Sequence, residues 1–425
     1  MTLLVCLALA LQAPVDEEPF KLKNGLTVVL RPSAAADKVA LVVLFSIGGD
    51  HDPEGKSGLA HLVEHLYVTA SAGETKARTA KEFFERYGGQ ANGQTGERYT
   101  VIAAVFDKEK LDEELRDAAA RMSALVLDQE LLDRERGRLV EEVANMFGGM
   151  PALGAANFGA EMVRPSPRGG RRGGQPDQVK TITVEDVRTH WKRYYKPRNA
   201  ILSLAGRFDS AEARASVAKH LEGLEAGDAA PEPGQPGAPT VAVFAEMELK
   251  FLIPDAKPQV ALSFAAPLPD SDQYAPYLVA VMRFFRNGGK LGLKASESPV
   301  LVRPLDGPYQ LAIVAPVNDG ESGKESVARL EAFVADALKE PLQESDRTGV
   351  RAELGMMLGF TRFSDVFYRV NPYAVAFGTA RRLQMGVDSA KLGKALDELK
   401  EDDFRKAVEM FGPGKRAAVV LKPKF

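Results

Sequence analysis

Cysteine is almost absent: Cys6 is the only one among 425 residues. A lone thiol excludes an internal disulfide and any zinc site built from cysteines. A surplus of one charge is also lacking. Lys and Arg number 55 against 58 Asp and Glu, for a net charge of -3, and there is no long basic run. Nothing here favours nucleic-acid binding. Long apolar runs are missing as well. The N-terminal run in MTLLVCLALALQAP holds about ten residues, against the roughly 20 that a membrane-spanning helix needs. Ala10 and Ala13 offer small-residue cleavage points. Residues 1–13 are therefore expected to be a signal peptide and the mature chain to be exported, to a periplasmic compartment, although no Lys or Arg precedes the run. Cys6 could mark a lipoprotein anchor instead, but Val5 fits poorly before it.

The chain is too long for one compact domain and suggests two or more. Its 45% hydrophobic and 27% charged residues are ordinary for a globular protein. Histidine is scarce, with five in all, yet two lie together in His61-Leu62-Val63-Glu64-His65. Four residues apart on a helix, they share one face, one turn apart, and both imidazoles can reach one metal ion. Glu64 flanks that face. In the commoner HExxH order the glutamate sits on the other side of the histidine line, about 80° away in each case. Either placement can hold a water that the metal polarises. HxxEH is the inverted zinc-protease signature.

Around this motif the sequence reads as alternating strands and helices. Asn24-Gly25 marks a hairpin, and Val39 to Ile47 is a deeply apolar strand. His51 falls in a polar loop, Gly48 to Gly55, and reads as solvated. Thr79 to Tyr87 is a short helix stopped by Gly88-Gly89. Asn92 to Glu97 reads as turn-prone, Tyr99 to Phe106 as a strand, and Lys108 to Leu127 as a scaffold helix. Met150 to Gln175, rich in Gly and Pro with Arg164, Arg168, Arg171 and Arg172, reads as a flexible loop. Thr183-x-x-Asp186 signals a helix start. His190 and Trp191 on that helix read as packing residues, and His220 as a surface residue.

Gln129 to Phe147 is a further helix, with Glu135 and Glu142 seven residues apart along one side. A solvated acidic face is one reading of such a pair. The other is that this helix completes the histidine pair, because two histidines and one glutamate form a catalytic zinc set that leaves a position open for water.

At this point the chain resembles the pitrilysin, insulin-degrading-enzyme and mitochondrial-processing-peptidase family of zinc peptidases. The resemblance rests on His61-Leu-Val-Glu64-His65 and on Glu135-Arg-Gly-Arg-Leu-Val-Glu-Glu142, which begins 70 residues after His65. LKNGLTVVLRP, GGQANGQT and YYKPRNAILSLAG support it. The resemblance implies His61, His65 and Glu142 as ligands of one zinc per chain and Glu64 as general base. It implies Glu135 as a residue ordering the site, with Glu141 a neighbouring competitor for the ligand role. Asn92 and Thr95 fall in the family's edge segment, where a substrate adds as an extended strand.

Ala226 to Thr240 (AGDAAPEPGQPGAPT) reads as a Pro/Gly-rich linker. It divides an N-terminal zinc-binding domain, 17–225, from a C-terminal non-metal domain, 241–425. VEDVRTHWKRYYKPRNAIL and EDDFRKAVEMFGPGKRAAVVL, from Val184 and Glu401, look like an internal repeat. The expected fold is α+β: two similar α/β domains from a duplication, each a mostly antiparallel sheet with helices on one side. The resemblance implies a zinc endopeptidase that cleaves short or unfolded peptides in a dimeric clamshell, either a homodimer or a heterodimer with a related subunit lacking HxxEH. Active members carry an arginine and a tyrosine seven apart for the substrate carbonyl; the nearest pair here is Arg303 and Tyr309, six apart. The alternative reading is a catalytically silent scaffold subunit of a processing-peptidase-like complex.

Overall fold

The computed structural model describes residues 18–163, 173–233, 242–293, 310–354 and 365–424. Residues 1–13 with Cys6, the four arginines from Arg164 to Arg172, and Arg303 and Tyr309 lie outside the described residues.

Two sheets form the frame. The first is made of β1 (Phe20–Lys21), β2 (Thr27–Pro32), β3 (Val39–Phe45), β4 (Ala91–Thr95), β5 (Thr100–Phe106) and β6 (Ala200–Gly206). Its order is β1-β2-β6-β3-β5-β4. The second contains β7 (Val243–Leu249), β8 (Gln259–Ala265), β9 (Gln310–Pro316) and β10 (Arg416–Pro423), in the order β7-β10-β8-β9. The pairs β2–β6 and β7–β10 are parallel and the others antiparallel. Each half thus sets its last strand parallel to an early one, β6 beside β2 and β10 beside β7, and continues antiparallel to one edge, through β3, β5 and β4 in the first and β8 and β9 in the second. The two repeat segments occupy matching places. Val184–Tyr194 leads into β6, and Glu401–Val408 leads into β10, each as helix, turn and strand.

Apart from the edge strands β1, β4 and β7, the strands are buried on both faces, so their sequences are nearly continuous apolar runs. In β3, Val39, Leu41, Val43 and Phe45 face the main core, and Ala40, Val42 and Leu44 face the other side. Helices α1 (Leu59–Thr69), α2 (Ala80–Arg86), α3 (Leu111–Ser123) and α4 (Gln129–Gly149) belong to the main-core side. The opposite face is covered by the helix Pro372–Gln384 from the second half, through Val375, Ala376 and Ala380. The exchange is reciprocal. Helix α5 (Pro151–Val163) crosses to the second sheet and packs Ala155 and Ala156 on Ala261, Ala312 and Val314.

Helix α5 overturns the loop reading of Met150 to Gln175 over Pro151–Val163. Glycine lowers helix propensity, but small residues let a helix lie close to a sheet. A Cβ at Gly159 would come within 2.4 Å of Ser263 Oγ. Three smaller readings also change. The scaffold helix α3 ends at Ser123, short of Leu127. Asn92 to Thr95 form most of an edge strand, not a turn. His51 is buried rather than solvated, with Nδ1 accepting from Gly48 N–H at 3.0 Å.

Candidate metal centre

Helix α1 packs across the first sheet through Leu59, Leu62, Val63 and Leu66. Its start is fixed by Asp52, whose carboxylate accepts from Gly58 N–H at 2.7 Å and Ala60 N–H at 2.8 Å. Gly58 has a left-handed φ of 100°, which a side chain would oppose. Burial raises the Asp52 carboxyl to about 7, against the pull of these backbone bonds. The C-terminal end of α1 is capped by buried Arg121, which donates to Tyr67 O and Ala70 O.

Helix α4 lies beside α1. His61 Nε2 is 3.6 Å from Glu142 Oε1, and His65 Nε2 is 3.4 Å from Glu142 Oε2. One donor atom from each of the three side chains lies within 4.8 Å of the others. The imidazole planes cross at 86°. His61 Nδ1 sits 2.9 Å from the carbonyl oxygen of Gly173, which fixes Nδ1 as the donor and leaves the Nε2 lone pair toward Glu142. Metal-binding histidines are characteristically oriented by such a partner. His65 Nδ1 is buried without a hydrogen bond, 3.7 Å from Glu135 Oε2. Glu135 is buried and held by Arg134 at 3.1 Å and Arg138 at 3.4 Å. The His65 imidazole lowers the Glu142 carboxyl to about 2, so it stands ionised. Two nitrogens and one carboxylate at this spacing fit a divalent cation of the zinc type. Glu141 is exposed on the neighbouring face.

Glu64 is buried next to this set, 3.8 Å from His61 Nε2. Burial raises its carboxyl above the usual range, partly offset by His61 and by Thr95. Thr95 Oγ1 donates to Glu64 Oε2 at 3.0 Å. Asn92 points the other way along the pleat and donates to Tyr373 Oη at 3.1 Å. What Asn92 offers on the Glu64 side is backbone. Among the described residues strand β4 pairs only with β5, which leaves its other edge open there. His190 is buried, its imidazole lowered to about 3 by burial, and packs edge-on against Tyr194 and at a tilt against Tyr195. His220 binds Asp112 at 2.9 Å on the far side of α3.

The sequence reading did not single out Gly93, Gly173 or Asp52. A Cβ at Gly93 would come within 2.4 Å of Glu64 Oε1. The GGQANGQT segment carried that signal. Gly173 acts through its backbone, which residue type does not report.

Two matched halves, with one histidine pair and one carboxylate converging in the first, define the class: a two-domain protein built around an inverted HxxEH motif. Residues 27–152 match the family described as Insulinase (Peptidase family M16), and residues 181–297 match the Peptidase M16 inactive domain. The chain belongs to the peptidase M16 family. It is 31% identical over 241 residues to zinc protease PqqE of Helicobacter pylori (strain ATCC 700392 / 26695), over 53% of each chain. It is 26% identical over 208 residues to an uncharacterized zinc protease of Rickettsia felis, over 49% of this chain and 50% of that one. The chain spans about half the length of the curated relatives it matches. In fold it is similar to a protease from Helicobacter pylori (TM-score 0.78, 22% identity, 97% of this chain and 100% of that). It is also similar to the periplasmic protease PqqL from Escherichia coli (TM-score 0.71, 17% identity, 97% and 48%).

Proposed function

We propose that the chain is a zinc-dependent endopeptidase acting on short or unfolded peptides. The observation that carries this reading is the convergence of His61, His65 and Glu142 beside buried Glu64. His61 and His65 would hold the ion through Nε2, and Glu142 through its carboxylate. When bound, zinc supplies a Lewis acid that acidifies a water and polarises the scissile carbonyl. Glu64 accepts the water proton and passes it to the leaving amine. Its burial suits it to the task, because a raised pKa makes the carboxylate a stronger proton acceptor. Glu135, wedged between two arginines, keeps the His65 ring in place. The open edge of β4 receives the peptide as an added strand, with Thr95 holding Glu64 beside it.

The halves divide at Ala226 to Thr240, and among the described residues only the first carries a metal set. A peptide chamber needs a second such pair of halves opposite, so the working unit is a homodimer or a heterodimer with a non-HxxEH partner. That partner would supply the carbonyl-binding arginine and tyrosine if Arg303 and Tyr309 do not. Export to the periplasm fits the N-terminal run. No helix among the described residues is long and apolar enough to cross a membrane.

The test is Glu64→Gln. The variant keeps zinc and loses turnover by about 10²–10⁴-fold, the usual weight of a general base. A zinc-free wild type with no peptidase activity supports the scaffold reading instead.

A further inference from the structure

We propose that Arg138 sets the substrate preference of this centre by selecting an acidic residue directly after the cleaved bond. The inference rests on the peptidase reading above.

A small pocket opens beside Glu64 and His65, walled by Val68, Phe83, Phe84 and Gly93. Arg138 closes one side and is the only Lys or Arg in that wall. It stands one helical turn before Glu142, on the same face of α4. Its side chain is 44% exposed, and its one ion pair among the described residues is a 3.4 Å contact with Glu135. Glu135 is held more closely by Arg134, at 3.1 Å. The remaining guanidinium N–H groups are therefore open to a ligand.

The direction of the peptide follows from the proton. Glu64 must reach the nitrogen of the leaving amine. The residue carrying that amine is the one whose side chain lies nearest the pocket on the Glu64 side. Aromatic walls accept an aliphatic stem, and a planar guanidinium pairs best with a carboxylate. A lysine or arginine in that place would meet Arg138 as a like charge. Glu64 shares the wall, and Arg138 is the positive group that offsets its repulsion of an acidic side chain. An acidic side chain competes with Glu135 for Arg138, whose contact there is the longer of the two that Glu135 makes with arginine.

The experiment uses the full zinc-loaded chain and three internally quenched peptides, identical except for Glu, Gln or Lys after the cleaved bond. The expected kcat/KM order is Glu, then Gln, then Lys, with about tenfold or more between the extremes. Arg138→Lys keeps the order, Arg138→Gln abolishes it, and Arg138→Glu reverses it. Binding gives a readout without turnover: on Glu64→Gln, fluorescence anisotropy should show the Glu peptide bound more tightly than the Lys peptide. Equal kcat/KM for all three, or an order that survives Arg138→Glu, overturns the role of Arg138 alone. Cleavage of none of the three by the zinc-loaded wild type, alone or together with a related non-HxxEH subunit, overturns the peptidase reading itself.

Discussion

The carbonyl oxygen of Gly173 lies 2.9 Å from Nδ1 of His61, so a glycine outside both metal-site helices sets the tautomer of a proposed ligand. Its neighbour Gly174 has a φ of +116°, and a Cβ there would come within 2.7 Å of Gly58 Cα. Gly174→Ala should push this loop off α1 and release the His61 ring. The expected result is a fall of about 10–100-fold in zinc affinity, the usual weight of an orienting partner. Chelator competition measures it. Unchanged affinity would show that the Gly173 contact is incidental.

Gly93 has a different task. Its missing side chain leaves room for the Glu64 carboxylate against β4. Gly93→Ala displaces Glu64 but touches none of the three proposed ligands. Zinc content should be retained while kcat falls by about a hundredfold, in line with the loss of a positioned base. Zinc loss in this variant would place the strain at the ligands instead.

Asp52 gives a prediction about pH. Its folded pKa is raised to about 7 by burial, above the ordinary carboxyl value of 3.8. A raised acid contributes its full stability below the unfolded pKa and loses it as pH climbs through the folded value. Asp52→Asn mimics the neutral form but gives up one of the two backbone bonds at the start of α1. The variant should melt below wild type at about pH 4, and the deficit should shrink toward pH 8. Thermal melts of metal-free protein across this range check it. A deficit that grows with pH would mean that the charged carboxylate is the preferred cap.

Much of the site was legible because helices repeat. His61 and His65 are one turn apart, and Glu135 and Glu142 two turns apart, so the sequence alone aligned each pair on its helix. The same spacing favoured Glu142 over Glu141; both are exposed in the structure, and the Glu142 carboxylate lies 3.6 and 3.4 Å from the two imidazoles. The two-sheet fold was legible from strand runs and the repeated helix–turn–strand segment. What escaped depends on contacts distant in sequence. The helix Pro372–Gln384 covers a sheet built before residue 207, and no local pattern records that pairing. Helix α5 looked like a loop because its glycines serve a neighbouring sheet rather than the helix itself. Asn92 read as turn-prone from its own residues, and only the family resemblance put it on a substrate-facing edge; the pleat turns its side chain away from Glu64, to Tyr373 across the halves.

The most direct measurement is zinc stoichiometry and affinity for wild type, Glu142→Gln and Glu141→Gln, by metal analysis after dialysis. Wild type and Glu141→Gln should each hold one zinc per chain, and Glu142→Gln should lose it or bind at least about a hundredfold more weakly. A wild type that holds no zinc, or a Glu142→Gln chain that binds it as tightly as wild type, would contradict the proposed centre.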